Sequence, residues 1–204
     1  MTHIVSPVEA SGAGAEVLRD EPVALGDGIE RRTSFHGYVW DVVTETFAYG
    51  DETLTRDFVH HPGAAAVVAL DDADRMILIQ QYRHPIRSRD WEIPAGLLDV
   101  PGEDTRAAAA RELAEEADLQ ADRWQLLGSI HTTPGGNDEI VHIYLARGLS
   151  SVTTDFVREG EEADMRREWV ALNDVIDGVL AGRFQNGILA FGALAAAEVL
   201  RRGA

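Results

Sequence analysis

The chain combines continuous apolar runs, alternating stretches and one long helical period, and these predict its elements. Ala64–Leu70 and Met76–Gln81 are apolar at nearly every position on either side of Asp71-Asp72-Ala73-Asp74, the pattern of a hairpin of two buried strands. Ahead of them, Tyr38–Val43 and Glu45–Tyr49 have strand character and are bounded by Gly37 and Gly50-Asp51. The stretch from Ile29 to His61 therefore reads as a small antiparallel β extension. Trp124–His131, Ile140–Ala146 and Arg167–Leu172 read as further strands. Asn173 is placed to cap a helix ending near Gly182, and Asn186 to cap a last apolar helix through Leu200. Met1 to Asp27, rich in Ala, Gly and Glu, reads as a poorly ordered lead. The expected fold is a mixed α/β sandwich without internal repeats, divided at 1–27, 28–61 and 62–204.

The helical period lies after Glu103. If Glu103 begins the helix, a turn of about 100° per residue puts Glu112, Glu115 and Glu116 on one narrow solvent-facing stripe. Ala107, Ala110, Leu113, Ala114 and Ala117 then form the core-facing side. Like charges at i,i+3 and i,i+4 each cost a helix about 0.2–0.5 kcal/mol, so such a stripe either stays a solvated acidic face or is neutralised by a cation. Oxygen-only clusters suit hard divalent ions, Mg²⁺ or Mn²⁺ above all.

Composition narrows the chemistry. The 204 residues are 45% hydrophobic, enough for one domain with a real core and a small extension. There is no cysteine, which excludes thiolate nucleophiles, disulfides and cysteine zinc sites. All 18 basic residues are arginines, so neither a P-loop lysine nor a Schiff base is available. Neither HExxH nor GxSxG occurs. A formal charge of −17 argues against nucleic acid as a partner. An anionic substrate would have to be met locally, by metal and placed arginines. No apolar run reaches about 18 residues, the length of a membrane span, and Met1–Asp20 lacks the layout of a secretory signal, so a cytoplasmic location is expected.

Gly96, then Glu103, then Arg111-Glu112-Leu113-Ala114-Glu115-Glu116 and Leu119 resemble the signature box of Nudix hydrolases, enzymes that cleave a nucleoside diphosphate linked to another group. Two departures stand out. The gap from Gly96 to Glu103 holds one residue more than the family pattern, in a loop where an insertion is tolerated. The usual glycine is Asp118, at a helix end where Asp accepts the left-handed conformation. Flanking segments narrow the likeness. Gln81-Tyr82-Arg83, Trp91 through Asp99, Pro134 through Glu139 and Glu161 through Met165 are similar to bacterial ADP-ribose pyrophosphatases, and the likeness runs from about Arg56 to Leu200.

The resemblance implies a Nudix-type α/β/α sandwich that uses Mg²⁺ or Mn²⁺ to split ADP-ribose into AMP and ribose 5-phosphate. It implies Glu112, Glu115, Glu116 and the Ala95 carbonyl as metal ligands, with Gly96 letting main chain approach the ion and Glu103 and Arg111 bracing the ligands. It implies Glu139 as general base, with neighbouring Asp138 as the alternative, and Glu115 and Arg111 as further catalytic residues. Arg83 suits the diphosphate because its planar fork grips phosphate oxygens; the alternative is a structural pair with Glu92 or Asp90. Glu92, Gly96, Leu98, Pro134 and Gly135 complete the implied substrate contacts. Trp40, Phe35 and Tyr38 could stack an adenine or fill a core or interface, and His84 lies beside Arg83. A homodimer is expected, its N-terminal strands reaching the partner's pocket. The alternatives are another nucleoside diphosphate sugar or a dinucleotide as substrate, a silent ADP-ribose sensor, and a purely structural acidic domain.

Overall fold

The computed structural model describes residues 18–26, 28–158, 160 and 163–203. The expected poorly ordered lead therefore falls largely outside the described residues, as do Glu161 and Glu162.

The centre of the molecule is β4 (Ala64–Ala69), every residue of which is buried. It runs parallel to β9 (Ile140–Ser151) and antiparallel to β7 (Ala95–Leu97), and β9 in turn pairs with β8 (Leu119–His131). Successive side chains of a strand point to opposite faces. Ala65, Val67 and Ala69 accordingly pack against Ala108, Ala109, Leu113 and Ala117 of α1 (Thr105–Ala117). Ala66 and Val68 share one buried cluster with Val175 of α2 (Leu172–Leu180) and with Leu189, Ala193 and Ala196 of α3 (Gly187–Arg202). Helices thus cover both faces of the sheet, the α/β/α sandwich expected, and a strand covered on both sides shows no polar alternation.

The expected hairpin after β4 does not form as a ladder. β5 (Arg75–Arg83) keeps only the bridge from Leu70 to Met76 and turns into a second sheet, between β6 (Ser88–Glu92) and β10 (Arg166–Ala171). The reason is the backbone accounting of β4: β7 and β9 already occupy both of its edges, so β5 must satisfy its amides elsewhere.

The N-terminal segment forms a third sheet, with β1 (Glu30–His36), β2 (Asp41–Tyr49) and β3 (Glu52–His60) in antiparallel order. Gly50-Asp51 makes the turn between β2 and β3, with Gly50 at φ 60°. β2 is one strand where two runs were expected, and Tyr38–Trp40 lie in the connection from β1.

Helix ends follow local chemistry with one exception. Asn186 caps α3 as expected, accepting from the Leu189 amide at 3.0 Å, and the helix runs two residues past Leu200. Asn173 caps nothing: α2 begins at Leu172, whose amide donates to the Asp74 carbonyl at 3.1 Å, so a tertiary contact replaces the cap. Among the described residues no helix is long and apolar enough to cross a membrane.

Candidate active site

Asp104 starts α1, its Oδ1 accepting from the amides of Arg106 at 3.0 Å and Ala107 at 2.9 Å, so Glu103 stands just ahead of the cap and is not the first helical residue. Asp118 ends it in the left-handed conformation, φ 56° and ψ 37°.

The buried arc of α1 differs from the expected one. It consists of Ala108, Ala109, Glu112, Leu113, Glu116 and Ala117. At about 100° per residue, Glu112 and Glu116 fall in the middle of this arc, between Ala108 and Ala109. Glu112 is 9% exposed and Glu116 3%, so two of the three glutamates lie under the surface and not on a solvent-facing stripe. Periodicity sorts carboxylates outward because a buried charge is costly unless paired; here partners await them.

β7 and Arg111 supply those partners. The Ala95 amide donates to Glu116 Oε2 at 2.8 Å. Glu112 lies directly over the Cα of Gly96, where any Cβ would occupy the position of the carboxylate. Arg111 donates from Nε and Nη2 to Glu103 at 3.2 and 3.1 Å, from Nη1 to Glu112 and, at 3.1 Å, to Glu115, and from Nη2 to the Leu97 carbonyl at 3.4 Å. The bond to Glu103 above all, opposed by burial and reinforced by the charge of Glu112, raises the pKa of Arg111 above its already high ordinary value.

Among the described residues no three His, Asp or Glu side chains stand in ligand geometry, since Arg111 holds oxygens of Glu112 and Glu115 while Ala95 holds one of Glu116. The donor set nevertheless fits a hard divalent cation. Four carboxylates, Glu103, Glu112, Glu115 and Glu116, gather around Arg111 and the Gly96 cradle, and two of them are buried. That excess of negative charge favours a further cation held by oxygen.

The wall continues into a cavity of about 720 Å³. Of the residues picked out by sequence, Arg83, Glu92, Ala95, Gly96, Arg111, Glu112, Glu115, Glu116 and Glu139 line it, as does Trp40. Arg83 makes the structural pair: Nε and Nη2 donate to the two oxygens of buried Glu92 at 2.8 and 2.7 Å, and Gln81 adds a third bond to Glu92 at 3.3 Å. Its side chain is nonetheless 43% exposed and lines the cavity.

Other expected residues stand apart. Leu98 packs near Gly63 and the α1 core, and Pro134 and Gly135 are exposed on a turn; none of the three lines the cavity. Phe35 and Tyr38 are exposed and away from it, and His84 bonds the Tyr82 hydroxyl at 3.0 Å. Glu103 acts on Arg111 from outside the lining.

Glu139 and Asp138 part company. Glu139 lines the cavity and its Oε2 accepts from Thr132 Oγ1 at 2.5 Å. Asp138 accepts from the His61 amide and pairs with His60 Nδ1, both at 2.7 Å, and is not in the lining. The segment from 136 to 138 is also stitched to β3 through Val59. Sequence reading missed His61 and Val39, and it missed that Asp90 and Asn186, read as a possible Arg83 partner and a helix cap, line the same cavity. Asn186 both caps α3 and donates to Asp90 at 3.1 Å; a helix cap is visible in sequence, but its second bond across 96 residues is not.

Comparison with known proteins agrees with this geometry. The family model described as NUDIX domain matches residues 59–188. The chain is 46% identical over 146 residues to an ADP-ribose pyrophosphatase of Mycobacterium tuberculosis, covering 72% of this chain and 70% of that protein. It is 38% identical over 123 residues to an ADP-ribose pyrophosphatase of Bacillus subtilis, with 60% and 66% covered. In fold it is similar to a solved ADP compounds hydrolase, with a TM-score of 0.73 at 21% identity over 86% of this chain and 94% of the other. With its box glutamates gathered on and just ahead of α1, beside β7, and the family match spanning them, the chain belongs to the NUDIX domain family.

Proposed function

We propose that this protein hydrolyses ADP-ribose to AMP and ribose 5-phosphate with the help of Mg²⁺ or Mn²⁺. The observation that carries the reading is a single cavity, large enough at about 720 Å³ for a nucleotide sugar, whose lining joins the α1 carboxylates to Glu139. Glu112, Glu115, Glu116 and the Ala95 carbonyl would hold the ion, whose chemistry is to stabilise charge developing on the diphosphate and to acidify water. Arg111 fixes the orientation of Glu112 and Glu115, and the Ala95 amide that of Glu116. Arg83, held by Glu92, presents positive charge to the diphosphate. Glu139 takes the proton of the water that attacks phosphorus, and the P–O bond to the departing phosphate breaks. Trp40 offers an aromatic wall to the adenine.

The cellular reading is a cytoplasmic homodimer, residues 62–204 forming the catalytic domain and 28–61 the dimerising extension. Phe35, Tyr38 and Val39 leave exposed apolar side chains at one end of that extension. A silent sensor has no need of a carboxylate cluster braced by four hydrogen bonds from Arg111.

Released AMP, measured over ADP-ribose, other nucleoside diphosphate sugars and dinucleotides with and without Mg²⁺ or Mn²⁺, tests the reading. Metal-dependent release with the highest kcat/KM on ADP-ribose is expected. Turnover of another member of the panel with none of ADP-ribose would overturn the substrate, and no turnover of any member would overturn the enzyme.

A further inference from the structure

Between β3 and β4 the sequence reads His60-His61-Pro62-Gly63, and His61 is held from three sides. Its backbone amide donates to Asp138 Oδ1 at 2.7 Å. Its Nδ1 accepts from the Gly63 amide at 3.0 Å, so in the neutral ring the proton resides on Nε2. The Trp40 ring lies against it, with centroids 4.3 Å apart at 35°. Nε2 then stands 3.4 Å from Glu139 Oε1, and the two side chains are only 9% and 17% exposed.

Glu139 is thus approached at each oxygen separately, by Thr132 at Oε2 and by His61 at Oε1. Thr132 itself receives Asn137 Nδ2 at 3.4 Å, which leaves its hydroxyl proton for Glu139. The His61 separation exceeds the usual range of about 2.7–3.2 Å for a nitrogen donor, a gap of the kind that closes when a catalytic site tightens around its substrate.

We propose that His61 is a positioning residue for Glu139: its Nε2–H, set by the Gly63 amide and shielded by Trp40, fixes the carboxylate that receives the proton of the attacking water. His61 keeps its own proton throughout. Each carboxylate oxygen retains a second lone pair, so both donors can stay bound while Glu139 accepts from water. This inference rests on Glu139 serving as the base.

The test separates ring from donor. His61→Phe keeps a ring against Trp40 and loses the donor, while His61→Gln loses the ring and keeps an amide N–H at the same reach. With ADP-ribose and Mg²⁺, His61→Phe should lower kcat about 10–100-fold with KM within about threefold, since a small misplacement of a catalytic group can cost about 10²-fold. His61→Gln should recover most of that loss. In a Glu139→Gln background His61→Phe should add nothing, because positioning acts only through the carboxylate. If melting shows that the Phe ring is not accommodated, His61→Met, with the length of Gln and no donor, takes its place. A Phe or Met variant as fast as Gln, a loss confined to KM, or losses that multiply with Glu139→Gln would overturn the inference. Should Glu139→Gln alone leave kcat unchanged, the base assignment falls and the inference with it.

Discussion

The His61 amide and Asp138 Oδ1 meet at 2.7 Å across 77 residues of sequence, and this bond separates two adjacent carboxylates into different jobs. Asp138, anchored also by His60, faces the end of β3, whereas Glu139 faces the cavity. Neighbouring side chains in extended backbone point in opposite directions, so fixing the first aims the second. Burial works against the ionisation of Asp138, but the hydrogen bond from His60, the His61 amide and the His60 charge hold its pKa below the ordinary carboxylate value.

Glu139→Gln should therefore lower kcat by about 10²–10⁴-fold, the usual effect of losing a general base, while metal and ADP-ribose affinity change little. Asp138→Asn should act on stability, by about 1 kcal/mol, because it replaces a charge-assisted acceptor that is 35% exposed with a neutral one. Steady-state kinetics on both variants check the division. A large kcat loss in Asp138→Asn beside an unaffected Glu139→Gln would move the base one residue back.

The layering of the fold was legible in the sequence because it follows from local pattern: β4 has no polar face, and Asn186 stands where a cap belongs. The box motif also picked out the carboxylate side of the cavity wall, Gly96, Arg111, Glu112, Glu115 and Glu116. What failed depended on distant partners. Glu112 and Glu116 read as solvated until β7 supplies the Ala95 amide and the Gly96 cradle. The hairpin after β4 was a sound local reading defeated by β9 and β7, strands that begin 76 and 31 residues after β4 (140 − 64 and 95 − 64) and take its edges. His61 carried no signal at all, since its role depends on Asp138, Glu139 and Trp40 at once.

Gly96→Ala tests the cradle. A methyl group there would overlap the Glu112 carboxylate, which must swing away or push β7 outward. Overpacking of this sort costs about 1–3 kcal/mol, and the melting temperature should fall accordingly. Mg²⁺ affinity by calorimetry should weaken more than that loss explains, because the displaced group is a proposed ligand. Unchanged metal affinity would remove Glu112 from the ligand set.

Glu116→Gln should collapse turnover while sparing the fold. The amide is nearly isosteric, its oxygen can still accept from Ala95, and one negative charge is removed from a buried cluster. The metal-free protein should therefore melt no lower than wild type. Mg²⁺ stabilises whichever state it binds, by about 2.7 kcal/mol at a hundredfold excess over Kd, so the rise in Tm on adding Mg²⁺ should shrink in the variant. A wild-type rise in Tm together with near-normal turnover would sink the metal assignment.

The proposed dimer is tested at the extension. Phe35 is 63% exposed on β1, a strand exposed along its whole length, and Tyr38 in the connection that follows is fully exposed. Phe35→Glu combined with Tyr38→Glu should convert a dimer to monomer in light scattering. In this structure Val39 and Trp40 line the chain's own cavity, so loss of the dimer should reduce activity only partly. A wild-type monomer fully active at nanomolar concentration would count against dimerisation.

Asp118 replaces the glycine usual at the end of the box helix, and its carboxylate explains why. Oδ1 accepts from Arg158 Nη2 at 2.9 Å and Oδ2 pairs with Arg167, tying the end of α1 to the segment after β9 and to β10. Two partly exposed pairs contribute about 0.2–1 kcal/mol each. A left-handed non-glycine residue costs about 1–2 kcal/mol, less for Asp and Asn. Asp118→Gly should therefore stay within about 1 kcal/mol of wild type, relief of the backbone offsetting the lost pairs. Asp118→Asn, which keeps the conformation and loses the charge, should fall by about 0.5–1.5 kcal/mol at neutral pH, again from the pair values. Burial opposes ionisation of Asp118, yet the bonds and charges of Arg167 and Arg158 hold its pKa below the ordinary value. Its contribution is then fully present above the unfolded value of about 3.9 and is lost as pH falls through the lower folded one. The deficit of Asp118→Asn should accordingly vanish in acid and shrink in high salt. A series of denaturant melts from pH 7 down into acid decides it: a deficit that persists undiminished to the lowest pH at which the protein folds would mean the pairs with Arg158 and Arg167 are not its cause.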